Sequence, residues 1–219
     1  MKRSLMLIWF WAAGIFLAAL LFGGAGRIDV PRFWVYLGVY AGFMVAAALL
    51  VDPDLVRERI RPGGKRQPVI LHLARLLFLL HLLVAGIEAG RHRWTPPVPP
   101  AVESAAMVAF SLGWGGVLWA MHANRFFSSV VRIQTERGQT VVTGGPYRWV
   151  RHPGYAAAMV LCPASGMALG SWAAVLVLLP LVLYLFYRTV TEDAFLMKNL
   201  SGYPEYAARV RHRLLPGVW

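Results

Sequence analysis

The chain has 219 residues, of which 58% are apolar and only 15% charged, against about 25% charged in an average soluble domain. A soluble protein of this size could not hide so much apolar surface, and Cys162, the single cysteine, excludes an intrachain disulfide and a cysteine metal cluster. The formal charge of +12 would suit nucleic acid, but the basic residues lie in loops between long apolar runs. That placement describes a polytopic membrane protein and disfavours a nucleic-acid partner.

Four apolar runs are long enough to cross a bilayer, which takes ~20 residues: Leu5–Phe22, Phe33–Val51, Val69–Ala89 and Ala101–Ala123. A fifth stretch, Tyr155–Tyr187, is too long for one span. Gly166, Gly170 and Ser171 interrupt it, which predicts a tight hairpin of two helices, the first one short. The expected fold is all-α, a helical membrane bundle of about six crossings, the last two forming the hairpin. Lys2 and Arg3 ahead of the first run would also suit a secretory signal, but no convincing small-x-small cleavage site follows.

Six crossings put both termini on one side. Seventeen Lys and Arg then fall on that side, in the N-terminal end, the 52–68 loop, the 124–152 loop and the region from Arg188 onward. Four (Arg27, Arg32, Arg91 and Arg93) fall on the other, and Arg75 lies within the third run. The positive-inside rule therefore predicts cytoplasmic termini and cytoplasmic basic loops. His72 and Arg75 sit near the cytoplasmic start of the third run, where snorkelling explains them. His81 has no partners at metal-ligand spacing, Cys162 is read as a small core residue, and Glu88 is placed to pair with Arg91.

Polar, non-repetitive sequence concentrates in 124–155 and 188–219. In the first stretch, Gly144-Gly145-Pro146 is a turn, and Pro153 suits the first turn of a helix, where its missing N–H is not needed. His152 would then lie beside the free N–H groups of that helix start, which attract anions. Taken alone, the stretch reads equally well as a membrane-entry loop with Tyr, Trp and Arg anchors.

The second stretch opens with Arg188 and Glu192, four residues apart and so on one helix face near the membrane boundary. Charges at that depth are functional candidates, although a plain i,i+4 ion pair is the simpler account. Gly202-Tyr203-Pro204-Glu205-Tyr206 through Leu214-Leu215-Pro216 predicts a short amphipathic helix at the membrane interface.

Together the Gly145-Pro146-Tyr147 turn, Arg151-His152-Pro153-Gly154-Tyr155, the Gly-Ser hairpin, Arg188-xxx-Glu192 and the Tyr-Pro-Glu-Tyr…Leu-Pro tail resemble the isoprenylcysteine carboxyl methyltransferase family and the related phospholipid methyltransferases. The resemblance covers about residues 124–219. Asp193 departs from it, standing where the family often carries a second Glu. It implies an integral membrane enzyme that takes its methyl group from S-adenosylmethionine. Residues 1–123 would supply four membrane helices. Residues 124–219 would supply the cofactor-binding loop, the hairpin and the tail of the same membrane domain. Carried over by position, the cofactor contacts would be Gln139, Thr140, Val141, Val142, Tyr147, His152, Pro153, Gly154, Tyr155 and Glu192. Arg188 would contact substrate, and Arg188 and Glu192 would be the catalytic pair. The implied partners are a lipophilic or lipidated substrate and membrane lipids.

These residue types suit that chemistry. A carboxylate suits the cofactor's amino group or ribose, aromatic faces suit adenine or the sulfonium, and an arginine fork suits a substrate carboxylate. Methyl transfer is an in-line displacement, in which positioning and desolvation outweigh acid–base work. The sequence offers no G-x-G-x-x-G for a Rossmann site. Three alternatives stay open: an N-methyltransferase of a lipid amine such as phosphatidylethanolamine, a sterol-reductase-like enzyme with a similar Arg-His-x-x-Tyr hairpin and NADPH, and a non-catalytic transporter or scaffold.

Overall fold

The computed structural model describes residues 3–60, 62–64 and 69–219. Lys2, Arg61, Lys65 and Arg66, which enter the charge tally, lie outside the described residues. The described residues form eight α-helices: α1 (Arg3–Ala25), α2 (Pro31–Leu50), α3 (Pro53–Ile60), α4 (Val69–Gly90), α5 (Pro100–Ala123), α6 (Pro153–Ala168), α7 (Trp172–Asn199) and α8 (Tyr203–Arg209). Five of them, α1, α2, α4, α5 and α7, are long and apolar enough to cross a membrane. At 16 residues, α6 is about 24 Å long, short of the ~30 Å hydrocarbon core. The chain is thus an all-α, multi-pass membrane protein.

Local sequence explains the helix limits. Proline opens α2, α5 and α6, where φ is already helical and the absent N–H would be unpaired anyway. Ser171 caps α7 by accepting the Ala174 N–H at 2.9 Å. Helix α3 was not expected. Its sequence, Pro-Asp-Leu-Val-Arg-Glu-Arg-Ile, is short and half charged, and Leu55 and Glu58 in it are buried.

Helices α5 and α6 pack most extensively. Their approach is set by Gly113 and Gly116: a methyl added at either would lie 2.8 Å from the Cβ of Leu161 or Ala157. Phe33, Tyr36, Leu82, Phe110 and Leu169 fill the centre, with Tyr36 stacked on Phe110 at 4.4 Å. One polar knot lies within this core. Ser165 Oγ on α6 is 2.8 Å from both Tyr36 Oη on α2 and His81 Nε2 on α4, and the other His81 nitrogen pairs with the Phe78 carbonyl. His81 is therefore a satisfied core residue that ties three helices.

The bundle has two polar ends. At one, Arg32 meets Glu103 at 3.1 Å, joining the starts of α2 and α5. There Glu88 accepts from the Thr95 backbone and hydroxyl (2.8 and 2.7 Å) and from Ser171. In place of the expected pair with Glu88, Arg91 donates to the Gly23 carbonyl. A buried carboxylate takes the closest donors its own end supplies, and here those are hydroxyls and a backbone N–H. The opposite end carries α3, the 124–152 loop, the C-terminal part of α7 and α8.

Candidate functional site

The loop from Asn124 to His152 contains no long helix, and its side chains fold it. Asn124 accepts the Phe126 N–H (2.8 Å) and donates to the Tyr147 hydroxyl (3.2 Å). Gln134, fully buried, donates to the Phe126 carbonyl, and its own N–H goes to Gln139 Oε1 at 2.7 Å. Helix α3 clamps the loop from outside. Glu58 accepts from Ser128, from Arg132 and from the Gly63 N–H, each at 3.0 or 3.1 Å, while Arg59 donates to the Phe127 carbonyl and lies over its ring.

The loop's last residues are bound to the tail. Arg151 and His152 donate their backbone N–H groups to the carbonyls of His212 and Arg213 at 3.0 and 2.8 Å. Between them and the tail sits Asp193, 3% exposed. It accepts a bidentate pair from Arg151 (2.8 and 3.0 Å), a bond from His152 Nε2 (3.2 Å), one from the Tyr203 hydroxyl (2.8 Å) and one from Arg213 Nε (2.8 Å). A carboxylate facing two guanidiniums only accepts, so His152 carries its proton on Nε2 in this arrangement. Arg151 also donates to the carbonyls of Val210 and Arg211. The tail helix α8 turns its tyrosines inward: Tyr206, 2% exposed, donates to the Tyr147 carbonyl at 2.6 Å. Burial pushes the Tyr206 phenol up to about 12 and raises those of Tyr147 and Tyr203 as well, so all three remain protonated.

One turn earlier on α7, Arg188 is 8% exposed. It donates to the Ser129 carbonyl (2.6 Å) and to Glu192 Oε2 (3.1 Å), and its Nε is buried without a partner. Its guanidinium carbon lies 5.7 Å from the Tyr155 ring centre, and the Tyr155 hydroxyl donates to the same Glu192 oxygen at 2.7 Å.

These elements line an open cleft. Gln139, Thr140, Val141 and Val142 line it from the loop, Tyr147 and His152 from the approach to α6, Gly154 and Tyr155 from the first turn of α6, and Glu192 from α7. Gly154 has a steric reason: a Cβ there would sit 2.5 Å from the Phe127 ring. Two sequence-predicted residues are not in the lining. Pro153 is buried at the helix start, and Arg188 lies beside Glu192 and Tyr155. The sequence assigned no site role to Asn124, Phe127, Leu196, Leu200, Tyr203 and Tyr206, which share the cleft, or to Arg151, Asp193 and Arg213, which hold it together. Of these, Arg151, Tyr203 and Tyr206 stood within the family-like motifs and Asp193 flanked Glu192, but none was assigned a contact in the site.

The family profile described as the isoprenylcysteine carboxyl methyltransferase (ICMT) family matches residues 106–198. The chain is 33% identical over 162 residues to the cobalt-zinc-cadmium resistance protein CzcN of Cupriavidus metallidurans, covering 73% of this chain and 64% of that protein. It is 32% identical over 93 residues to the protein-S-isoprenylcysteine O-methyltransferase of Schizosaccharomyces pombe, covering 41% and 39%. A probable protein-S-isoprenylcysteine O-methyltransferase of Oryza sativa subsp. indica is 33% identical over 99 residues, covering 44% and 51%. The chain thus spans less than two thirds of the length of each of these relatives. The matched stretch runs from α5 through the cleft loop and α6 to the Arg188–Glu192 turn of α7, and over that stretch the chain matches the isoprenylcysteine carboxyl methyltransferase family.

Proposed function

We propose that the protein is a membrane-embedded S-adenosylmethionine-dependent methyltransferase that methylates the carboxylate of a lipophilic substrate. The carrying observation is the cleft itself, in which nine residues from the loop, α6 and α7 converge beside the half-buried Arg188–Glu192 pair. The donor set suits the cofactor. Glu192 receives both its bonds on Oε2, so Oε1 is available to an amino or ribose group. The phenyl rings of Tyr147, Tyr155 and Phe127 offer faces for a purine or a sulfonium, and Val141 and Val142 add apolar wall. When bound, S-adenosylmethionine supplies an electrophilic methyl group on sulfur. His152, held by Asp193, orients the cofactor's polar end. Arg188 holds the acceptor carboxylate, which is ionised at neutral pH and requires no general base. The surrounding apolar side chains exclude water and so strip the carboxylate of its hydration.

In this reading the α6–α7 pair is a hairpin that makes six crossings in all, and the basic end with both termini faces the cytoplasm. Labelling a cysteine introduced at Arg137 should succeed only from the cytoplasmic side. An amine acceptor is less well served, because Arg188 would repel it. The test is methyl transfer by the full chain in nanodiscs from methyl-labelled S-adenosylmethionine to N-acetyl-S-farnesylcysteine, with binding of NADPH measured alongside. Labelled ester is the expected product. NADPH binding with no S-adenosylmethionine binding would remove the proposal. A second reading follows from the relative named for cobalt-zinc-cadmium resistance, namely a part in tolerance of those metals. Loss of metal tolerance on deletion, with no methyl transfer by the purified chain, would favour it.

A further inference from the structure

The chain approaches α6 through residues 146–152 with all but two side chains turned inward. Pro146, Tyr147, Val150, Arg151 and His152 are buried, whereas Arg148 and Trp149 are exposed. Tyr147, Arg151 and His152 serve the cleft, and the outward pair has no part in its lining.

The turn that carries this pair is pressed against the end of α5. Gly145 takes φ +58°, and a Cβ there would lie 3.0 Å from the Ala123 Cβ and 3.4 Å from the Trp119 Nε1. Trp149 then meets Trp119 edge-on, with ring centres 5.4 Å apart, and the Arg148 guanidinium lies 4.6 Å from the Trp149 ring centre. Trp119 is exposed one turn before the end of α5, a membrane-crossing helix. Indoles at that level sit where acyl chains meet headgroups.

Arg148 makes no hydrogen bond or ion pair among the described residues. The carboxylates of the loop and of α7 are engaged by other arginines: Glu136 by Arg132, Glu192 by Arg188, and Asp193 by Arg151 and Arg213. Stacking on Trp149 occupies the face of the Arg148 guanidinium and leaves the N–H groups at its edge, which fit the oxygens of a phosphate. A plain aromatic anchor accounts for the indoles but not for a cation held on them without an anion.

We infer that Arg148, Trp149 and Trp119 form a binding site for an anionic membrane phospholipid, the guanidinium on its phosphate and the indoles against its glycerol and upper acyl chain. The site lies on the outer side of the turn whose inner side meets the cleft, and it does not depend on the methyltransferase reading.

The experiment is native mass spectrometry of the full chain in dodecyl maltoside, titrated separately with dioleoyl phosphatidylglycerol, dioleoyl phosphatidylcholine and inorganic phosphate. Wild type should bind the first phosphatidylglycerol about fivefold more tightly than phosphatidylcholine. Arg148→Gln should lose about fivefold on phosphatidylglycerol and fall to the phosphatidylcholine level. Arg148→Lys keeps the charge but not the fork and should lose about twofold, which carries the test if the Gln variant does not fold. Trp149→Leu should weaken both lipids and keep the preference between them. Arg57→Gln, at an exposed arginine of α3, should leave both affinities unchanged. No preference in wild type, a full preference in Arg148→Gln, or unchanged lipid affinity in Trp149→Leu would each overturn the inference. So would an equal loss in Arg57→Gln, which would mean diffuse attraction to the basic end. Inorganic phosphate binding as tightly as phosphatidylglycerol would also overturn it, by showing a site for free anions.

Discussion

Glu192 and Asp193 are neighbours on α7, about 100° apart around the helix, and they sit in opposite situations. Asp193 is saturated: four side chains donate five bonds to its two oxygens. Glu192 receives two, both on one oxygen, from Tyr155 and from an arginine that itself has an unpaired nitrogen. A carboxylate whose lone pairs are filled by its own protein holds structure. One that is half filled beside an orphaned donor is equipped for a ligand. A single helix thus separates the fastening of the site from its chemistry by one residue.

The contrast breaks most visibly at Asp193. Asp193→Asn leaves Arg151 and Arg213 without their counter-charge and removes an acceptor, so a loss of about 3–5 kcal/mol is expected, read as a fall in melting temperature in detergent. A fully stable variant would show that the saturated carboxylate is dispensable. Next is Gly154→Ala, whose methyl meets the Phe127 ring; the strain should be about 1–3 kcal/mol and should appear mainly as weaker S-adenosylmethionine binding. Restoration by a second change, Phe127→Leu, checks that the clash is the cause. Third is the half-filled side. Glu192→Gln should cost about 1.5–3 kcal/mol of cofactor binding by calorimetry with little change in stability, whereas Arg188→Lys should spare cofactor affinity and lower turnover. Equal small losses of stability with full activity in both would reduce the pair to an ordinary i,i+4 bridge. The smallest effect is expected at the far end, where Thr95→Val removes one bond to Glu88. About 1 kcal/mol of stability should be lost and no activity.

The long helices were legible because a bilayer imposes one rule on every span, and apolar runs opened by proline satisfy it visibly at Pro31 and Pro100. The loop after α5 and the turn into α6 were legible as a set of residue types, and most of that set does line one cleft. Helix α3 was not, because eight half-charged residues are too few for an apolar period to stand out from a loop. The Asp193 knot was not either. Its partners lie 42, 41, 10 and 20 positions away, and such separations obey no helical spacing. The tail's amphipathic pattern predicts a short helix at the membrane interface but does not show which partners its tyrosines take. They are buried because Asp193 and the Tyr147 carbonyl need donors where no water reaches.

The backbone pairing of residues 151–152 with 212–213 has a consequence in time. As the chain emerges from a ribosome, the cleft loop is made some sixty residues before the segment that fastens it. Throughout that interval α6 and α7 can enter the membrane while Arg151 still has neither the tail carbonyls nor Arg213 beside it. Assembly of the bundle and assembly of the site are thus separate events in biosynthesis, and the second waits for the tail. A chain cut after Asn199 would retain all five long apolar helices and still lack Tyr203, Tyr206 and Arg213. Such a product should insert normally and bind no cofactor, so correct membrane targeting of a shortened or interrupted chain is no guide to whether it is active.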